Sequence, residues 1–172
     1  NFDVSLDLFQ IDIDDRIALS ESITGDALTG FVAAQYGVGG LESASFFVNA
    51  ADTRTRGAEL VANWRHALGD GQLQLTGTWA YAKTELKRVV ATPSELQALD
   101  PAYVLFGVEE SNTLTEATPR TRAQLAATWA NDRWSLTSRV SRHGSAKRIF
   151  NFGGGFEPEQ TYQAEWQLDA EV

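Results

Sequence analysis

Apolar and polar residues alternate with a period of two over several long segments of the chain. In residues 72–82 the odd positions are Leu73, Leu75, Gly77, Trp79 and Tyr81, and the even positions are Gln, Thr or Ala. Residues 120–130, 134–141 and 163–172 follow the same rule. Alternation of this length predicts β-strands that have one apolar face and one polar face.

Two further segments alternate less regularly. Residues 57–65 keep the pattern except at Val61, which interrupts the polar side. The opening segment places Val4, Leu6 and Leu8 on one face and then continues with Phe9, Ile11 and Ile13, so its phase changes. An extra residue in one strand reverses the phase of alternation, so this segment predicts a β-bulge between Leu8 and Phe9.

The connections between these segments alternate between short and long. Residues 67–71 and 130–133 are rich in turn formers and predict tight turns. Residues 20–45, 87–118 and 144–161 predict long irregular loops, the last with three glycines at 153–155. Within the second loop, Thr92 followed by Pro93 and Glu95 has capping-box spacing and predicts a helical turn with Pro93 at its first position.

Short turns at one end of a sheet and long loops at the other are typical of an outer-membrane β-barrel, whereas long structureless loops argue against a compact soluble domain. Trp64, Trp129 and Trp134 lie close to the short turns and on the apolar side, as an aromatic girdle would. The polar side carries long charged side chains of both signs, which favours a wide barrel that encloses water or a plug. Six strands cannot close such a barrel.

The sequence therefore predicts an all-β fold, a segment of an antiparallel transmembrane β-barrel. We expect about six long strands, short periplasmic turns and long extracellular loops, forming an open curved sheet in isolation with the apolar residues on its convex side.

Composition narrows the function classes further. The chain has 172 residues with 14 Lys and Arg against 23 Asp and Glu, a formal charge of −9, which disfavours a nucleic acid partner. It has no cysteine, which excludes a disulfide framework, a thiolate metal site and a Cys nucleophile. It has no methionine and opens within an alternating segment, which we interpret as part of a longer chain.

Four stretches resemble the C-terminal part of the barrel of TonB-dependent outer-membrane receptors. Residues 8–17, LFQIDIDDRI, resemble a strand that precedes a surface loop in that family. Residues 49–60 resemble the family's strand with a late G-x-E-L motif, here at Gly57 to Leu60. Thr118-Pro119-Arg120, followed by Leu125, resembles a P-x-x-K/R strand start, and residues 162–172 resemble a strand shortly before the end of the barrel.

The resemblance implies that residues 1–172 are a partial receptor barrel in the outer membrane of a Gram-negative bacterium, with the plug domain and the last strands outside these residues. It implies active uptake of a scarce ligand, most commonly a ferric siderophore, powered by the TonB complex through the plug. Outer-membrane lipid is the other expected partner. Passive porins, barrel enzymes and soluble β-sandwich binding modules remain as alternatives.

Ligand contacts are expected in the basic and aromatic run before and within the third long loop, since anionic ferric siderophores favour such linings. The candidates are Arg139, Arg142, His143, Lys147, Arg148, Phe150 and Phe152, with Tyr36 beside the first loop. Charged residues expected to face the lumen or the plug are Glu59, Arg65, Arg120, Arg122 and Glu165.

We predict no enzyme activity, no cofactor and no metal site. Ser141 and His143 lack a third partner for nucleophilic catalysis, and two widely spaced His residues do not define a metal site. Glu109 and Glu110 are the only adjacent carboxylates in a loop, and we interpret them as solvated charges.

Overall fold

A computed structural model describes residues 1–152 and 155–172, so two of the three glycines at 153–155 lie outside the described residues. Ten strands and three helices are assigned in these ranges. They are β1 (Phe2–Leu19), β2 (Ile23–Thr24), α1 (Asp26–Tyr36), β3 (Ser43–Ala44), β4 (Phe47–Leu68), β5 (Gly71–Val89), α2 (Ser94–Leu99), α3 (Val108–Thr115), β6 (Thr121–Ala130), β7 (Ser135–His143), β8 (Ala146–Ile149), β9 (Glu159–Tyr162) and β10 (Glu165–Glu171).

Six of these strands form one antiparallel sheet in the order β1-β4-β5-β6-β7-β10. The sheet is open and curved, as predicted. The remaining strands form two small hairpins, β2-β3 and β8-β9, which belong to the long loops. We call the end of the sheet that carries these loops the loop end, and the opposite end the turn end. No helix in the described ranges is long and apolar enough to cross a membrane.

The sheet has an apolar face that no second layer covers. This face carries Leu125, which is 56% exposed, and Leu168, which is 71% exposed. Leu73, Leu75 and Trp129 on the same face are partly exposed rather than buried. The opposite, polar face carries charged and amide side chains. A soluble sandwich would bury the apolar residues against another sheet, so the exposed apolar face argues for lipid as its natural contact.

The tryptophans near the turns lie where the sequence predicted them. Trp64 and Trp129 are on the apolar face, and the indole Nε1 of Trp129 donates a hydrogen bond to the carbonyl of Leu68 at 3.0 Å. The two tight turns are joined to each other, since the side-chain amide of Asn131 donates to Asp70 at 2.9 Å. The turn end is therefore a short, well-bonded rim.

Three strands are about twice as long as the others, and their loop ends lie close to the predicted bounds of the long loops at 20–45 and 87–118. β1, β4 and β5 have 18, 22 and 19 residues, whereas β6, β7 and β10 have 10, 9 and 7. About 9–11 tilted residues are enough to cross a bilayer. The first three strands therefore project well past the others at the loop end.

The bulge predicted between Leu8 and Phe9 is wrong. β1 pairs with β4 without interruption from Phe2 to Ile13, and the irregularity lies farther on, between Ile13 and Ile17. There Asp15 has a φ of 49°, a left-handed conformation that Asp tolerates better than most residues. The change of pattern at Phe9 has another cause: the strand keeps its phase, but the face that was apolar becomes polar.

The long loops are folded rather than irregular. The helices α1, α2 and α3 and the hairpins β2-β3 and β8-β9 together form what we call the loop cap. Its core has two adjoining clusters, one around Ile23, Leu28 and Leu105 and one in which Phe106 packs on Ala50 and Ala51 of β4. The buried apolar residues in the described ranges lie here, at the loop end.

The helical turn predicted in the second loop exists, but its predicted cap is wrong. α2 begins at Ser94 and Pro93 is its N-cap, without a side-chain capping hydrogen bond. The hydroxyl of Thr92 instead accepts a hydrogen bond from the backbone N–H of Leu105 at 2.9 Å. The hydroxyl of Thr92 therefore takes part in the tertiary packing of the loop cap, instead of capping the helix as its spacing in the sequence predicts.

Gly57 on the polar face of β4 is required by close packing. A Cβ atom at this position would collide with the ring of Phe9 on β1 and lie 2.5 Å from the carbonyl oxygen of Tyr81 on β5. By contrast, a Cβ at Gly77 would meet nothing within 4 Å. The family-like glycine is thus a packing residue between three strands.

We expect Gly57→Ala to destabilise the barrel by about 1–3 kcal/mol, the range found for overpacked sites. Gly77→Ala is the matched control and should be neutral or slightly stabilising, because a strand glycine has an entropic cost of its own. Guanidinium denaturation of the full-length receptor measures both. Equal effects of the two substitutions would contradict this account of Gly57.

Candidate functional site

A row of mostly charged residues crosses the polar face at one level of the sheet. In register order it comprises Asp7, Glu59, Ala80, Arg122, His143 and Glu165, one residue from each of the six strands. The antiparallel register places Arg122 and Glu165 on either side of His143. The sheet thus places four of the residues predicted from the sequence in one row, namely Glu59, Arg122, His143 and Glu165.

A shallow hollow of about 360 Å³ lies along this row. Its lining includes Glu59, Arg122, Gln124, Ser141 and His143. Arg139 lies two residues from Ser141 toward the turn end, on the same face, beside a second hollow with Gln167 and Asp169. The hollows offer cationic, anionic and neutral hydrogen-bonding groups to a polar ligand.

Arg142 does not share this surface. It follows the phase of Val140, and its guanidinium lies over the ring of Trp166 at 5.7 Å from the ring centre. Since Trp166 is 69% exposed on the apolar face, Arg142 belongs to the opposite side of the wall from Arg139 and His143.

The basic and aromatic residues of the third loop are largely engaged within the loop cap. Lys147 forms an ion pair with Glu159 at 2.6 Å, which raises the pKa of its ammonium. Arg148 stacks over Phe150 at 5.3 Å and approaches Glu109 at 3.9 Å. Phe152 lies against the rings of its neighbours at positions 150 and 156 and is 69% exposed.

The other predicted residues are dispersed. Tyr36 at the end of α1 is 75% exposed and borders an apolar groove between α1 and α2, in the first two loops. Arg120 is tied to Glu116 at 3.1 Å, beside a hollow with Lys147 and Thr161. Arg65 lies near the turn end of the polar face, where its backbone N–H donates to the carbonyl of Asn1.

Three carboxylates that sequence patterns did not single out as a group meet in the loop cap. Glu21 of the first loop is only 6% exposed, and its carboxylate accepts a hydrogen bond from the side-chain amide of Asn151 at 3.0 Å. Glu109 accepts one from the backbone N–H of Asn151 at 2.8 Å. The expectation that Glu109 and Glu110 are solvated charges is therefore wrong. They belong to a cluster that joins the three loops.

Asn112 of α3 provides a second junction between loops. It is 5% exposed, its side-chain amide donates to the carbonyl of Lys147, and its side-chain oxygen accepts from the N–H of Ile149. One side chain thereby continues the hydrogen bonding of β8 into the helix. No sequence pattern marks Asn112 or Glu21, because their partners are far away along the chain.

Glu110 is the carboxyl group with the least favourable surroundings in this cluster. Burial, with the adjacent Glu21 carboxylate, raises the pKa of Glu110 to about 8. Its Oε2 atom is buried and has no hydrogen-bond partner within residues 1–152 and 155–172. The cluster is therefore most stable with a proton on this group.

We expect the loop cap to loosen as the pH rises. In an opened loop Glu110 ionises near 4.5, whereas in the closed cap it ionises near 8. The contribution of Glu110 to the stability of the closed loop cap is therefore fully present below about pH 4.5, declines as the pH rises toward 8 and is constant above that value. Amide hydrogen exchange of α3, corrected for intrinsic rates, measures this opening.

Glu110→Gln should remove that pH dependence, while Glu95→Gln on the exposed side of α2 should preserve it. Unchanged pH dependence in the Glu110 variant would show that this carboxyl group is not the one responsible.

An open antiparallel sheet with one exposed apolar face, one polar face with shallow hollows, and folded loops at one end defines the wall of a transmembrane β-barrel. A family model described as "TonB dependent receptor-like, beta-barrel" matches residues 1–172, and the chain belongs to this family. The family comprises outer-membrane receptors that act in transport and are not enzymes. Comparisons with curated proteins and with solved structures found no match.

Proposed function

We propose that this chain is the loop-bearing wall of a receptor that takes up a ferric siderophore across the outer membrane of a Gram-negative bacterium, driven by TonB. Under this proposal residues 1–172 form part of the barrel domain, and the TonB complex acts through a plug domain outside these residues. The barrel supplies the polar face along which the ligand and the plug make contact.

The observation that carries the proposal is the row containing Arg122 and His143 with its hollow. The row lies on the polar face, level with the residues beside Tyr81, where the apolar face ends. A ligand that enters at the loop end reaches this level after passing the loop cap. Two cationic or neutral nitrogen donors next to hydroxyl and amide groups suit an anionic, oxygen-rich chelate.

Arg139 extends the same surface toward the turn end, and the third loop adds aromatic rings above it. Phe152 is an exposed ring of that group, as is Phe156. Arg148 contacts Glu109 and Phe150, and Lys147 pairs with Glu159, so we assign these two cations to stabilising the loop cap. We assign Phe152 to ligand contact. The same reasoning separates Arg142, on the apolar face, from the ligand surface.

Uptake of iron-radiolabelled catecholate, hydroxamate and carboxylate siderophores by cells expressing the full-length receptor tests this proposal. We expect saturable accumulation of one class, abolished by a protonophore. Arg122→Gln should weaken binding about tenfold or more, since a hydrogen bond to a charged group contributes about 1.5–3 kcal/mol. Arg133→Gln in the second tight turn is the matched control and should not change binding.

Accumulation that does not saturate and survives the protonophore would indicate a passive pore instead. Energised uptake of a ligand without iron would preserve the receptor assignment but refute the siderophore.

A further inference from the structure

The apolar face changes character at one level on three neighbouring strands. Leu8, Ala58 and Tyr81 are register partners across β1, β4 and β5 and are the last apolar residues on that face. Two residues farther toward the loop end, the partners on the same face are Gln10, Arg56 and Lys83. A change at the same height on three strands marks a boundary in the surroundings rather than an irregularity of one strand.

The height of the apolar region agrees with a bilayer. On β5 the apolar face runs from Leu73 to Tyr81, eight residue steps, or roughly 26 Å along the strand at about 3.3 Å per step. At the tilt of about 35–45° usual in such barrels, this length spans roughly 19–22 Å across the membrane, somewhat less than the apolar band of about 25 Å typical of them. Trp79 and Tyr81 stack on each other at its upper edge, where aromatic residues meet the lipid headgroups.

Directly above this edge the face carries a cluster that we call the outer basic patch. Its members are Arg54, Arg56, Lys83 and Lys87, with Asp12 and Glu85 among them. These four cations and two anions have a formal charge of +2, and Arg88, which pairs with Asp15 and Asp52 beside Lys87, brings the local charge to +1, on a chain whose total is −9. Cations thus gather at this level although acids predominate overall.

The carboxylates of the patch do not satisfy its cations. Arg54 pairs with Asp12, while Lys83 and Lys87 share Glu85 at 2.8 and 3.6 Å. The Nε of Arg56 donates to the neutral side chain of Gln10 at 2.9 Å, and within the described ranges no carboxylate pairs with it. Arg56 and Lys87 are exposed and Lys83 is partly exposed, so their donors are accessible.

We propose that the outer basic patch binds the phosphate groups of a phosphorylated glycolipid in the outer leaflet. Phosphate oxygens are the acceptors that guanidinium and ammonium groups bind best, and the patch lies where such headgroups begin. The acyl chains would then lie along the apolar face below, with Trp79 and Tyr81 at the junction. This inference rests on the barrel's position in the membrane and is independent of the cargo.

Native mass spectrometry of the full-length receptor in detergent, titrated with bisphosphorylated lipid A, tests the proposal. We expect Arg56→Gln combined with Lys83→Gln to weaken binding roughly 30-fold, from about 1 kcal/mol per cation near an anionic surface. Glu85→Gln should tighten it about fivefold, because it frees two lysines. A gain of affinity cannot arise from misfolding.

Arg122→Gln combined with Arg139→Gln removes two cations from the polar face and serves as the matched control, with lipid affinity unchanged. Dephosphorylated lipid A should bind the unaltered receptor as weakly as the patch variant binds the phosphorylated form. Equal binding of the two lipids, no gain from Glu85→Gln, or an equal loss in the control would overturn the proposal.

Siderophore uptake distinguishes this inference from the proposed function. The patch variant should retain uptake, and a receptor that proves to carry another cargo should still lose lipid A binding on substitution of the patch.

Discussion

Leu125→Arg should prevent most of the receptor from assembling in the outer membrane. Leu125 lies midway along the apolar face of β6, paired with Gly77 and Val140, and is 56% exposed. An Arg at the bilayer midplane on the lipid face of a barrel costs about 2–4 kcal/mol. The fraction of folded barrel, measured by heat-modifiable gel migration of membrane fractions, reports this loss.

Gln124→Arg is the matched control because it adds the same side chain one residue away, on the polar face. The hollow at this position is open to water and already contains charged groups. We expect normal assembly. If both substitutions lowered the fraction of folded barrel to a similar extent, an added Arg would impair assembly on either face of β6. The two faces would then not contact different media.

Phe106→Ala should open the loop cap without unfolding the barrel. Phe106 is 2% exposed and packs on Ala50 and Ala51, with Leu114 against the same cluster. Truncation of a buried Phe to Ala costs about 3–5 kcal/mol, and the cap has few other buried apolar side chains to offset it. Fast amide exchange in α3 together with unchanged strand protection is the expected result.

Val104→Ala is the control for this substitution, since Val104 belongs to the same loop but is 51% exposed. It should leave exchange in α3 unchanged. If Phe106→Ala also left α3 protected, the loops would be held by their hydrogen bonds alone and the small apolar core would be unimportant.

The strands of the wall could be predicted from the sequence because water on one side and lipid on the other impose a period of two at each position. The tight turns followed from their composition in the same way. The alternating segment at 57–65 underestimates β4, which begins about ten residues earlier, at Phe47, close to the end of the predicted loop at 45. Strand pairing, rather than local pattern, determines how far it runs.

The apparent phase change after Leu8 illustrates a limit of reading one strand alone. A bulge and a strand that leaves the membrane both put two apolar residues side by side, here Leu8 and Phe9. Only the register with Ala58 and Gly57 on β4 distinguishes them. The partner strand contains the information that the single strand lacks.

The loop cap was the least predictable part, for a physical reason. Glu21 accepts a hydrogen bond from the backbone of Glu109, 88 residues away, and one from Asn151, 130 residues away. Contacts of this separation leave no periodic trace in the sequence. Some of the candidate ligand residues could be assigned to one surface from the sequence, because they lie on strands and the alternation of a strand determines which face each residue is on.

The apolar face of this sheet contacts lipid, and the polar face contacts water. Residues 1–172 contain no cysteine, so single cysteines can be introduced at each position from 73 to 82 of β5 in a full-length receptor from which any cysteine outside these residues has been removed. Spin labels at these positions, in receptor reconstituted into bilayers, then report their accessibility to oxygen, which enters lipid, and to a polar nickel chelate, which remains in water.

We predict that the two accessibilities alternate in opposite phase, with oxygen favoured at Leu73, Leu75, Gly77 and Trp79 and the chelate favoured at the positions between them. Uniform accessibility along the segment, or access of the chelate to the apolar positions, would contradict the assignment of the apolar face to lipid.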